Sequence, residues 1–125
     1  MQKFEIPVKF ITLNEYINKC KQSRGNYSPA QMYKGKMDAL IAFYCKQGKI
    51  RPINKPFKMH CIWYEETARR DPDNIAFAKK FILDGMQKAK ILKNDNSRLV
   101  KGFMDSFVYG EGQKVVVEIH EEDEL

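Results

Sequence analysis

Phe57-Lys58-Met59-His60-Cys61-Ile62-Trp63-Tyr64, followed shortly by Arg69-Arg70-Asp71-Pro72-Asp73-Asn74, is the stretch on which the fold turns. The first segment is rich in aromatic and β-favouring residues and predicts a strand, extending as far as Glu66. Pro72 then disfavours helical backbone at Asp71, so a helix has to begin after it, with Asp73 or Asn74 as the natural N-cap. Beyond that point Ile75, Ala78, Ile82, Met86 and Ala89 recur at helical spacing, which predicts one helix from about Ile75 to Lys90.

Outward from this centre, Phe4, Ile6, Val8 and Phe10 alternate within Lys3 to Leu13, the period of a half-buried strand, with Pro7 suited to an edge. Asn14-Glu15-Tyr16 ends that strand, and the polar stretch through Gly25-Asn26-Tyr27 reads as a loop or a short exposed helix. Ser28, Pro29 and Gln31 are placed as N-cap, first helical residue and capping-box partner, and Met37, Leu40, Ile41 and Tyr44 continue a helix that stops at Gly48. Arg98 to Tyr109 and Lys114 to His120 are the last two strands, expected to form a hairpin through Gly110-Glu111-Gly112. The order β-α-β-α-β-β predicts an α+β fold, a mixed four-stranded sheet packed with two main helices. Residues 1–125 are read as one domain with a short acidic tail at 121–125.

Composition narrows the class. A chain of 125 residues, 43% hydrophobic and 30% charged, can bury one ordinary core. It contains no apolar run of the roughly 20 residues needed to cross a bilayer, and its first residues do not form an apolar leader, so a cytoplasmic protein without membrane contact is expected. Cys20, Cys45 and Cys61 are widely spaced and form no C-x-x-C pair, which argues for free thiols and against a zinc site. His60 and His120 read as strand surface or satisfied core. The net charge is +6; residues 1–60 carry 12 Lys or Arg against 3 acids, and the body without Glu121, Glu122, Asp123 and Glu124 is +10. Such a body suits a polyanion, although a lysine run on a helix such as Lys34, Lys36 and Lys46 is ordinarily a solvated face.

Asp71 and Asp73 carry the chemistry. One acid before a helix is commonly a cap worth about 1 kcal/mol, but two held close together repel unless a cation compensates. Oxygen ligands of this kind suit Mg²⁺ or Mn²⁺. On a continuous helix at roughly 100° per residue, Asp73, Lys80 and Asp84 fall on one stripe, which brings a lysine to the acidic face. A simple Lys80–Asp84 pair at i, i+4 explains that spacing equally well. Asn94-Asp95-Asn96-Ser97 reads as a turn, and spacing alone does not return Asp95 to the other acids.

The run Arg70-Asp71-Pro72-Asp73-Asn74, then Lys80, Asp84-Gly85-Met86, Ala89, Ile91-Leu92 and Asn94-Asp95, resembles the signature of the RusA-type Holliday junction resolvases. The strong similarity covers Asp71 to Asp95; weaker similarity touches Pro7, Asn14-Glu15-Tyr16 and Lys114 to Ile119. The resemblance implies a homodimeric endodeoxyribonuclease for branched DNA, especially four-way junctions, in recombination and repair. Asp71, Asp73 and Asp95 then correspond to the metal-holding catalytic acids, Lys80 to the motif lysine, and Mg²⁺, which Mn²⁺ can replace, to the cofactor. Arg69, Arg70, Asn74 and Lys79 are assigned to DNA contact, with Lys79 also the competitor for the catalytic lysine. Lys90 stands where many relatives have Gly. Phe103 and Phe107, with Asp105 between them, are candidates for core packing first and a dimer interface second.

Two other readings stay open. In one, the acids are caps and turns of a non-catalytic module that holds single strands on Tyr16, Tyr27 and Tyr33. In the other, a metal-dependent nuclease cuts a different branched DNA or RNA.

Overall fold

In the computed structural model, which describes residues 1–93 and 98–122, the chain runs β1 (Gln2–Ile6), α1 (Leu13–Lys21), α2 (Pro29–Gln47), β2 (Phe57–Glu65), α3 (Pro72–Ala76), α4 (Lys79–Lys88), β3 (Val100–Tyr109) and β4 (Lys114–Glu121). Asp95 and the last three residues of the acidic tail lie outside the described residues. The class is α+β, with one mixed sheet in the order β1-β4-β2-β3.

That order overturns the expected final hairpin. β3 and β4 follow one another closely in sequence, yet β2 lies between them, parallel to β3 and antiparallel to β4. Gly110 and Gly112 do adopt φ of 86° and 90°. The turn they make crosses the end of β2, where Gly110 N donates to Glu65 O at 2.9 Å. Glycine sets the local dihedrals of a turn and leaves open which strand its flanks pair with. A strand buried on one face and half-buried on the other gains more from a central position than a polar edge would, and β2 is that strand.

The first strand is shorter than its alternation suggests. Pairing with β4 ends at Ile6 opposite Val115, and the next residue, Pro7, has no N–H to continue a ladder. Phe10 is still buried, stacked on Phe81 and edge-on to Trp63. Its apolar character served the core without a strand. Thr12 then caps α1 in a full capping box with Glu15, so the Thr-x-x-Glu signature starts a helix where the alternation alone predicts the end of a strand.

The predicted helix from Ile75 to Lys90 is two helices. At the junction Ala78 N bonds Ile75 O, Lys80 N bonds Phe77 O and Phe81 N bonds Ala78 O, a tightened i→i+3 pattern. The break lets Phe77 and Phe81 meet Tyr16, while Ile75, Ala78, Ile82 and Met86 still reach the core. α4 lies so close to α2 that a Cβ on Gly85 would stand 2.6 Å from Ile41. Met59, Cys61 and Trp63 of β2, with Val115, Val117 and Ile119 of β4 and Phe4 and Ile6 of β1, face the helices. Each large side chain buried there contributes about 1.5–3 kcal/mol. His60, Ile62 and Tyr64 alternate with them and point to the opposite face.

Candidate active site

The backbone at Asp71 is extended, φ −69° and ψ 142°, as its proline neighbour requires. Asp71, and not Asp73 or Asn74 as expected, occupies the N-cap position of α3, because the helix already begins at Pro72; it makes no side-chain capping bond. Asp73 stands in the first turn of α3, and both carboxylates are exposed. The two acids follow the carboxyl end of β2 in the chain, beyond the buried Glu65 that closes the strand.

Around them the expected cations divide. Arg70 turns inward: its Nε lies 3.2 Å from Oε1 of the buried Glu65, and its Nη2 donates to Phe10 O at 3.0 Å. This side chain is structural, since a buried carboxylate needs a paired cation. Arg69 is exposed and Asn74 half-buried. Lys79 is also drawn into the fold, ion-paired with Asp105 and lying over the Phe103 ring at 4.8 Å. Asp105 accepts a second bond from Trp63 Nε1 at 2.9 Å, so it ties the edge strand to the core. Phe103 itself is 50% exposed, whereas Phe107 packs against the core.

Lys80 is exposed, and the break before α4 interrupts the stripe expected to align it with Asp73 and Asp84. Asp84 faces α2 instead, where Lys34 Nζ stands 3.6 Å from it and 3.2 Å from Asp38. Desolvation pulls the Lys34 pKa down, but the hydrogen bond and charge of Asp38, with Asp84, outweigh it and leave the lysine above its ordinary value. The Lys80–Asp84 explanation of the spacing is therefore replaced by an interhelical Lys34–Asp84 pair. Asp95 is outside the described residues. Its described flanks stand at the start of β2, where Ile53 N donates to Ile91 O and Phe57 N to Leu99 O, both at 2.7 Å. Asp71 follows the other end of that nine-residue strand, roughly 26–30 Å long.

Among the described residues the side chains that gather as a possible metal-ligand set are His60, Glu118 and His120. In the sequence the two histidines stand 60 residues apart; the antiparallel β2–β4 register sets His60 opposite Glu118 and His120 opposite Lys58. The three cysteines are free; burial pushes the Cys45 and Cys61 thiols up to about 12, which disfavours their thiolates. Among the described residues no helix is long and apolar enough to cross a membrane. No protein-family model matches the sequence, and no curated protein matches it.

Proposed function

We propose that the chain is a Mg²⁺-dependent, structure-selective endodeoxyribonuclease of the RusA type, resolving four-way DNA by paired hydrolysis as a cytoplasmic homodimer. The observation that carries the reading is the pair Asp71 and Asp73. Both are exposed, and Asp71 holds the N-cap position without acting as a cap. Capping, the ordinary structural reason for an acid at that place, is not what Asp71 does there.

Two exposed carboxylates form a hard oxygen donor set that fits Mg²⁺, which binds one or two carboxylates and keeps waters and phosphate oxygens as its other ligands. When bound, the ion supplies a Lewis acid for the phosphodiester and an acidified water. Asp71 and Asp73 would hold it; Asp95, the third acid that the resemblance implies, lies outside the described residues, between flanks at the opposite end of β2. Exposed Lys80 stabilises charge on the phosphoryl oxygens, while Arg69 and Asn74 make phosphate contacts that fix orientation and carry no sequence information. A two-fold dimer presents two such sites to opposed strands of a junction.

Labelled four-way, flap and linear DNA incubated with the purified chain in Mg²⁺, Mn²⁺ and EDTA tests this directly. The expected result is paired cutting of the four-way substrate with either metal and none in EDTA. Binding without cleavage under every condition would identify a non-catalytic module, and cleavage without preference for four-way DNA would identify a different nuclease.

A further inference from the structure

The face of the sheet turned away from the helices carries a second constellation with its own chemistry. His60 on β2 lies opposite Glu118 on β4, and His120 follows two residues later on the same face. His60 Nδ1 is 3.3 Å and His120 Nε2 is 3.0 Å from the same carboxylate atom, Glu118 Oε1. One ligand atom from each of the three lies within 4.8 Å of the others.

We propose that His60, Glu118 and His120 form a binding site for a transition-metal ion of the Zn²⁺ type, separate from the Asp71–Asp73 pair and independent of the nuclease reading. Ligands at 2.0–2.1 Å from a tetrahedral Zn²⁺ are about 3.3 Å apart, and the separations of 3.3 and 3.0 Å are already close to that length. Closing the third needs side-chain rotation alone, because the strands fix the three Cα positions in one antiparallel register. Two imidazoles with one carboxylate select Zn²⁺ and its neighbours over Mg²⁺, whose preference is for oxygen.

Ser106 supplies an independent indication. Its Oγ lies 2.8 Å from His60 Nε2, the ring nitrogen that does not face Glu118. A ligating histidine characteristically has its second nitrogen held in this way; with Nε2–H donating to Ser106, the ring is held and Nδ1 is the nitrogen left to face a metal. Three protein ligands leave one tetrahedral position open. His60, Glu118 and His120 line a groove of about 640 Å³ that also has Lys58 and Lys101 on its walls, so the exchangeable ligand is water or a small anion. The lysines oppose cation binding and favour an anion at the fourth position.

The test uses the untagged 125-residue chain stripped with EDTA and desalted. Calorimetric titration with Zn²⁺ should give one equivalent per chain and a raised Tm, and Co²⁺ should give the visible absorption of a four-coordinate ion. Glu118→Gln and His120→Gln should each weaken Zn²⁺ binding more than tenfold, and Ser106→Ala roughly tenfold, as outer-sphere partners of metal ligands do. Asp71→Asn with Asp73→Asn should leave it unchanged. Far-UV circular dichroism identifies any variant that fails to fold, in which case the remaining variants decide. Folded wild-type chain that takes up no Zn²⁺, or folded Glu118→Gln and His120→Gln variants that bind like wild type, would overturn the proposal.

Discussion

At the scale of single residues, Asp71 and Lys79 show how different the work of neighbouring charges can be. Asp71 gives its carboxylate to no cap, so Asp71→Asn and Asp73→Asn are expected to leave the melting temperature within a degree or two while lowering Mg²⁺-dependent junction cleavage by orders of magnitude. Single-turnover rates and thermal melts on the same preparations check this; unchanged cleavage would remove the pair from the active site. Lys79 and Lys80 should separate in the opposite sense. Lys79→Ala leaves the half-buried Asp105 with Trp63 as its remaining partner, an outcome expected to cost about 1–3 kcal/mol of stability. Lys80→Ala, at an exposed position, should cost under about 0.5 kcal/mol and act on turnover instead. Urea unfolding of the two variants, set beside their cleavage rates, tells an architectural lysine from a phosphate-facing one. The sequence presented Asp71-Pro72-Asp73 legibly because proline, extended backbone and helix start are all local. It could not separate Lys79 from Lys80, since their placement depends on a break in the helix next to the aromatic contacts of Phe77 and Phe81.

At the scale of elements, two positions on or after helices make opposite demands on the backbone. Glycine inside a helix ordinarily costs about 0.5–1 kcal/mol relative to alanine, so Gly85→Ala would stabilise α4 in isolation. Here the added methyl would sit 2.6 Å from Ile41 on α2, and overpacking of this kind costs typically 1–3 kcal/mol. The net expectation is a lower denaturation midpoint, and a raised one would mean that the two helices can part without loss. After α4, Lys90 has φ of 62°; Ile91 N returns to Met86 O and Lys90 N to Gln87 O, the paired bonds of a Schellman motif. Lysine is strained in that region, so Lys90→Gly should raise stability by about 1 kcal/mol, measurable as an increased Tm. Strands and helices with strong local patterns, such as β2 and α2, were readable in advance. The β2–β4 pairing was not, because residues 66–113 separate the partners and the Gly110–Gly112 turn looks the same whether its flanks pair with each other or with a third strand. The His60, Glu118 and His120 cluster depends on that pairing and was hidden with it.

At the scale of the whole molecule, charge is the property that the proposed substrate would read, and the fold decides how much of it is available. Among the described residues, Lys34, Arg70, Lys79 and Lys114 have acids within ion-pair distance, so the formal charge overstates what a phosphate backbone meets. Lys9, Lys36, Lys46, Lys49, Arg51 and Arg69 are exposed, and all but Arg69 belong to the first 60 residues, where basic groups outnumber acids 12 to 3. Each phosphate neutralised releases condensed counterion, and affinity for duplex arms should fall with salt at a log–log slope of about −0.9 per contact. Six contacts would therefore cost roughly 10³ in affinity between 50 and 200 mM salt. The measurement is junction affinity in EDTA across that range, for wild type and for Lys36→Gln, Lys46→Gln and Arg69→Gln. Each substitution at a phosphate contact should reduce the slope by about one unit and weaken four-way and linear DNA alike. Arg70→Gln should instead lower Tm, because its partner Glu65 is buried and left without its cation. A flat salt dependence for the wild type would show that the basic half of the chain is a solvated surface, and would leave the acids at the end of β2 without an electrostatic reason to meet DNA.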